Sequence, residues 1–280
     1  MVLVILHELK ANNSIPINPK IFDFKRSMLT KVTIKLIQSL KDKKNRQLHG
    51  LFLVEGTKAV MELLASKIVV KTLFATGEWI SLHKVLLKDN CVLEIVNEKE
   101  LKQLSNQVTP QPVIALAFIP NFDITEIDFS KGFSIALDEI QDPGNLGTII
   151  RIADWYGIKN IICSKTCADV YNPKVIQSTM GSFLRVNIFY ENLSAFFSIH
   201  NKIPVYGALM NGKNLHQTKI NSDGILLIGN EGSGISDELL TFVTHPITIP
   251  KIGDAESLNA SIATAIICDA WARGGLKIKN

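Results

Sequence analysis

The chain has 280 residues, 46% of them hydrophobic and 20% charged, with a formal net charge of +4. That balance supports a sizeable buried core and excludes a chain too polar to fold. No apolar run reaches the roughly 18 to 20 residues that span a bilayer, and the opening MVLVILHELK is too short and poorly flanked for a signal peptide, so a cytoplasmic protein with no membrane partner is expected. The four cysteines, Cys91, Cys163, Cys167 and Cys268, are few for this length. Cys163 and Cys167 have no second pair to complete a zinc site, so free thiols and no metal are expected.

Residues 1–27 show no clear period and are expected to be an extension, with Met28 as a candidate alternative start. The stretch LTKVTIKLIQSLKDKKNR after Met28 reads as one amphipathic helix with Ile34, Ile37 and Leu40 on one side. Charge is concentrated here: residues 20–46 hold nine basic side chains (Lys20, Lys25, Arg26, Lys31, Lys35, Lys41, Lys43, Lys44, Arg46) against Asp23 and Asp42. From residue 131 onward the chain is neutral, with 13 basic and 13 acidic residues. A basic front end on a neutral body is a nucleic-acid footprint or simply a solvated helix face.

Short apolar runs at 51–54, 69–75, 92–96 and 113–119 predict strands, and 56–65 and 97–105 predict helices. A proline-containing connection follows, so a domain boundary is placed at about 120–130, between an N-terminal unit over 28–122 and a second over 131–280. Beyond it, strands are predicted at 133–137, 160–163, 186–190, 203–208, 225–229 and 246–249. Helices are predicted at 145–156, 173–180, 191–199, 235–243 and 259–272. Apolar strands alternating with helices imply an α/β fold with a parallel sheet covered on both faces. In such sheets ligands bind beyond the carboxyl ends of the strands.

Three of those strand ends carry polar chemistry. In ALDEIQDPGNLGTIIRIADWYG (136–157), Pro143-Gly144 makes a turn and Asn145 is placed to cap the next helix; Arg151 lies well over one turn further on. In ILLIGNEGSG (225–234), glycines follow a buried strand, but no lysine follows them and Glu231 sits among them. A phosphate loop needs the lysine, and the order G-x-x-G-x-G is not that of a dinucleotide fingerprint. The loop therefore suits a ligand that is neutral or cationic nearby, or is only a turn with Glu231 exposed. In ITIPKIGDAESLNASIATAIICDAWAR (247–273), Ser257 and Asn259 flank a helix entry. The small residues Ala260, Ser261, Ala263 and Thr264 let that helix approach another backbone or subunit.

Together these stretches resemble the SpoU/TrmH family of RNA ribose 2′-O-methyltransferases, of the SPOUT class. Asn145 to Arg151 matches the family's N-x-G-x-x-x-R; Gly229 to Gly234, and Ile249-Pro250 with Ser257 to Ala263, resemble its second and third motifs. Residues 46–65, with FLVEG, look like its N-terminal substrate-binding domain. The resemblance implies a deep C-terminal trefoil knot, S-adenosylmethionine as methyl donor, and a homodimer with active sites near the subunit interface. It implies a cofactor pocket at Ala208, Leu209, Ile228, Gly229, Gly232, Ile249, Leu258 and Ala263. It gives Arg151 the central catalytic role, either as proton acceptor or as a clamp on an RNA phosphate. Glu231 is expected to orient Arg151, and Asn145, Ser257 and Asn259 to position the ribose. Ribosomal RNA is the first-choice substrate and transfer RNA the second. A non-catalytic RNA-binding protein of the same fold, and a nucleotide-dependent enzyme on an ordinary doubly wound sheet, are the rivals.

Overall fold

The computed structural model describes residues 29–83 and 91–275; the expectation for residues 1–27 lies outside them. The described residues open with two helices, not one. Helix α1 (Lys31–Ser39) is capped by Thr30, whose hydroxyl accepts from the Thr33 N–H at 3.1 Å, and it buries Ile37. It stops before α2 (Lys43–His49). The break has a physical cause. Arg46 Nη1 donates to the carbonyls of Leu40 and Lys41, each at 2.7 Å, taking up acceptors that a continuous helix would have used internally. Gly50, at φ 61°, then ends α2 in the left-handed conformation that glycine adopts without strain.

A four-stranded sheet follows, in the order β1-β4-β2-β3: β1 (Leu51–Glu55), β2 (Val70–Ala75), β3 (Val92–Ile95) and β4 (Val113–Phe118). β4 is antiparallel to both β1 and β2, while β2 and β3 are parallel. Alternation divides the side chains of β1 between two cores. Leu51 and Leu53 pack with Ile37, Leu40 and Leu101. Phe52 and Val54 face the rest of the molecule, where Phe52 lies 4.5 Å from the Tyr171 ring and 6.1 Å from Phe183. Helix α3 (Thr57–Ala65) follows β1, and a helix that periodicity did not signal, α4 (Gly77–His83), follows β2. Helix α5 (Glu98–Leu104) is fixed by a capping box between Asn97 and Glu100.

The second sheet has six parallel strands in the order β10-β8-β9-β5-β6-β7: β5 (Phe133–Leu137), β6 (Asn160–Ser164), β7 (Asn187–Glu191), β8 (Val205–Asn214), β9 (Gly224–Ile228) and β10 (His245–Thr248). β5 and β9 are buried along their whole length, as expected for a sheet covered on both faces. The helices are α6 (Pro143–Trp155), α7 (Pro173–Thr179), α8 (Leu193–Ile199), α9 (Asp237–Leu240) and α10 (Ala260–Gly275). Winding runs outward from β5 through β6 to β7, and the later strands lie on the other side of β5. The carboxyl ends of β5 and β9 are thus a switch point, where a crevice opens. β8 extends past its expected end at 208. Gly207 pairs with Pro246, and Lys213 with Ile247, so residues 208–212 bulge out of the ladder. No helix of the described residues is long and apolar enough to cross a membrane.

Candidate active site

All three polar strand ends converge at this crevice. At the end of β5, the Asp138 N–H donates to the Ile228 carbonyl at 2.8 Å, extending the ladder towards β9. The buried Asp138 carboxylate accepts from the Ser236 N–H at 2.9 Å. Glu139 then adopts φ 56°, an uncommon conformation for a side-chain-bearing residue. It is held there from both sides: its N–H donates to Ser164 Oγ at 2.9 Å, and its carbonyl accepts from Asn230 Nδ2 at 2.9 Å. Cys167 supports the same turn. Its Sγ accepts from the Ile140 N–H and donates to the Leu137 carbonyl, both at 3.3 Å. A hydrogen bond from the Cys163 thiol brings the Cys167 thiol down to about 7.

Asn145 is not the helix cap. Asp142 caps α6, accepting from the Asn145 N–H at 2.8 Å, with Pro143 in the first turn, where its missing N–H costs nothing. The Asn145 side chain is therefore free to reach across the crevice. Its Nδ2 donates to Glu231 Oε1, and its Oδ1 accepts from Asn259 Nδ2 at 2.8 Å. Asn259 Oδ1 in turn accepts from the Ser261 N–H at 2.9 Å and from Ser261 Oγ at 2.6 Å, securing the entry to α10. One chain of polar contacts, Glu231–Asn145–Asn259, so joins segments 86 and 114 residues away from Asn145.

The glycine loop is shaped by Asn230. Its Oδ1 accepts from the Gly232 N–H at 2.8 Å and the Ser233 N–H at 3.3 Å, and its backbone pairs with Gly234 in both directions at 2.9 Å. The loop closes so tightly that a Cβ on Gly229 would lie 2.2 Å from the Gly234 carbonyl carbon. Below it opens a cavity of about 540 Å³, within the range of small-molecule sites. Ala208, Leu209, Ile228, Gly229, Gly232, Ile249, Leu258 and Ala263 all line it, as do Glu231 and Ser257. The bulge at 208–212 delivers Ala208 and Leu209 to its wall. Gly212 permits that bulge, since a Cβ there would meet the Ile247 backbone at 2.4 Å.

Asn145 and Asn259 stand beside the cavity without lining it. Arg151 lies further along α6, exposed. The Glu231 carboxylate accepts from Asn145, and among the described residues none of the ion pairs joins it to Arg151. Two organisers of the site, Asn230 and Asp142, are not among the residues that sequence reasoning singles out. The sequence does carry a signal for Asp142, because Asp-Pro at a helix start is a cap followed by proline.

The chain is similar to known proteins along most of its length. Residues 132–269 match the model of the SpoU rRNA Methylase family, and residues 31–115 match the MRM3-like substrate binding domain. The chain is 30% identical over 237 residues to the Bacillus subtilis 23S rRNA (guanosine(2553)-2′-O)-methyltransferase RlmP, covering 84% of this chain and 93% of that protein. A TrmH-family protein from Porphyromonas gingivalis superposes with a TM-score of 0.80 at 37% identity, over 88% of this chain and 99% of that one. The AdoMet-bound rRNA methyltransferase of Sinorhizobium meliloti does so at 0.81 and 29% identity, over 90% and 98%. With three motifs meeting at one crevice and relatives matched along nearly their whole length, the chain belongs to the SpoU rRNA methylase family.

Proposed function

We propose that this protein transfers a methyl group from S-adenosylmethionine to a ribose 2′-hydroxyl of ribosomal RNA. The observation that carries this reading is the Glu231–Asn145–Asn259 chain at the mouth of the 540 Å³ cavity. The cavity suits the cofactor: largely apolar walls, backbone groups of the glycine loop, and two carboxylates, Glu231 and Glu256, against one lysine, Lys251. Bound there, S-adenosylmethionine supplies a methyl group on a positively charged sulfur, which the Glu231 carboxylate attracts, whereas it would repel a pyrophosphate. Ribosomal RNA is favoured over transfer RNA because a relative that acts on 23S rRNA matches both parts of the chain.

In this reading each polar residue has a separate role. Asn145 and Asn259 lock the cavity mouth and position the ribose. Ser257, exposed on the cavity wall, offers a hydroxyl to the substrate. Arg151 is the essential cation. Arginine side chains keep their proton at neutral pH, so the role assigned to it is to clamp an RNA phosphate and stabilise the oxyanion that develops at the ribose.

A homodimer completes the site. Helices α6 and α10 run side by side, joined by Asn145–Asn259 at their starts and by Tyr156 Oη to Asp269 at 3.3 Å near their ends. Their outer face carries Arg151 and, one turn later, Trp155, which is 84% exposed, together with half-exposed Ile262. A second copy seated there would bury the tryptophan and bring Arg151 towards the partner's cavity. The reading also includes the knot and the division into an RNA-binding unit over 28–122 and a methyltransferase unit over 131–280.

The test is methyl transfer from labelled S-adenosylmethionine to protein-free ribosomal and transfer RNA, followed by nucleoside analysis. A 2′-O-methyl nucleoside in the ribosomal pool is expected. Arg151→Ala should lower turnover by at least about 100-fold with cofactor affinity within about twofold of the parent. Retained turnover would remove Arg151 from the mechanism, and failure to bind the cofactor would sink the reading.

A further inference from the structure

A second cavity, of about 830 Å³, opens between the two sheets' domains and is separate from the cofactor pocket. Its shape is fixed by contacts that lock the domains together. Arg46 Nε and Nη2 donate to Asp169 at 2.9 and 2.6 Å with Arg46 only 2% exposed, and Arg185 bridges Glu62 and Asp154 at 2.7 and 2.8 Å. The cleft is therefore a standing feature and not a gap between loosely tethered parts.

Its lining combines apolar side chains with an unusual number of amides. Primary amides line both walls, with Asn106, Gln107 and Gln111 on one side and Asn172 and Gln177 on the other. Lys41, Lys58 and Lys174 stand exposed at its edges. Among the described residues, the one carboxylate lining it, Glu55, is held in structural contacts. It accepts from Ser105 Oγ and, at 2.9 Å, from the Asn106 N–H. The Gln107 N–H donates to Ser105 Oγ at 2.9 Å, so residues 105–107 are pinned by their backbone. Against that fixed backbone the Asn106 side chain is idle: both Nδ2 and Oδ1 are buried without a partner. A buried amide normally satisfies both groups. Rotation of this one into the cleft it lines would present a donor and an acceptor side by side, the pattern that a base edge complements.

We infer that this cleft receives an unstacked nucleobase flanking the methylated nucleotide, read by Asn106, Gln107 and Gln111, with its phosphates on Lys58 and Lys174. Position favours RNA as the occupant. Pro143 lines the cleft, and two residues later Asn145 bonds Glu231 at the rim of the cofactor pocket. The two cavities thus flank the start of α6, as neighbouring nucleotides of one strand would require. Lys41 continues the cleft into the basic helices at the front of the chain. The inference rests on the methyltransferase reading but is tested apart from it.

The experiment uses the full chain and protein-free ribosomal RNA as probe, with RNA binding, cofactor binding and methyl transfer measured separately. Asn106→Ala and the double variant Gln107→Ala/Gln111→Ala should raise the KM for RNA about tenfold while kcat and cofactor affinity stay within about twofold. Lys58→Ala/Lys174→Ala, at exposed positions that the fold does not need, should lower the salt slope of RNA binding by about 1.4, the amount for two phosphates of a single strand. Unchanged KM and salt slope in all three variants, with methyl transfer intact, would overturn the cleft and leave the enzyme reading standing. Loss of RNA binding in the variants of a parent that transfers no methyl group would support the cleft and overturn the enzyme reading.

Discussion

Gly229 and Gly232 sit in one loop, yet the structure asks different things of them. A methyl group on Gly229 collides with the Gly234 backbone at 2.2 Å, whereas on Gly232 it would meet only Asn230 Oδ1 at 3.4 Å. Gly229→Ala should therefore cost about 1–3 kcal/mol and abolish cofactor binding, because the loop must open to accept it. Gly232→Ala should stay within about 0.5 kcal/mol of the parent. Thermal unfolding and cofactor titration of the pair would check this, and equal effects would show that loop closure is not what the glycines serve. The sequence marked both glycines alike, since a motif records residue type and not the distance to the next backbone. It placed Asn145 at the right junction, but the cap it offered there belongs to Asp142, three residues earlier. What Asn145 reaches instead, Glu231 and Asn259, depends on neighbours remote in the chain.

At the scale of elements, the basic front of the chain divides by function. Lys31, Lys35, Lys41, Lys43 and Lys44 are exposed, but Arg46 is internal. It ends α1, holds α2 and pairs with Asp169 across the domain boundary. Its periodicity was legible as helix; its burial was not, because an isolated arginine reads as surface until a carboxylate from another domain meets it. Arg46→Ala should destabilise the protein by about 3–5 kcal/mol by leaving Asp169 uncompensated, while the paired change Arg46→Met/Asp169→Leu should be far milder. Urea denaturation of the three proteins measures this. A small effect in the single variant would show that the Phe52–Tyr171–Phe183 contacts suffice to hold the domains.

For the whole molecule, the proposed dimer would cover the outer face of α6 and α10. A tryptophan at 84% exposure on α6 is unusual for a finished surface. Trp155→Glu should convert the protein from dimer to monomer in light scattering at micromolar concentration. It should also lower turnover, since Arg151 lies one turn away, and spare the cofactor pocket. An unchanged mass, or a parent that is already monomeric, would sink the dimer. The locked domains make a related point: one continuous apolar core runs from Phe52 and Val54 through Ile135 and Leu137, so the cleft and the cofactor pocket belong to one rigid frame.

By itself the sequence determined the parallel architecture of the second sheet, the limits of β5 to the residue, and the three segments that meet at the crevice. Each rests on local information: buried strands must be apolar throughout, and glycine, proline and asparagine mark turns by their own conformational limits. Only the tertiary structure decided which residues touch. The Asn145–Glu231–Asn259 chain, the burial of Arg46, the bulge at 208–212 and the idle amide of Asn106 all arise where segments far apart in the chain meet. A side chain's partner there is set by sheet order and by close backbone approach, neither of which any single stretch of sequence encodes.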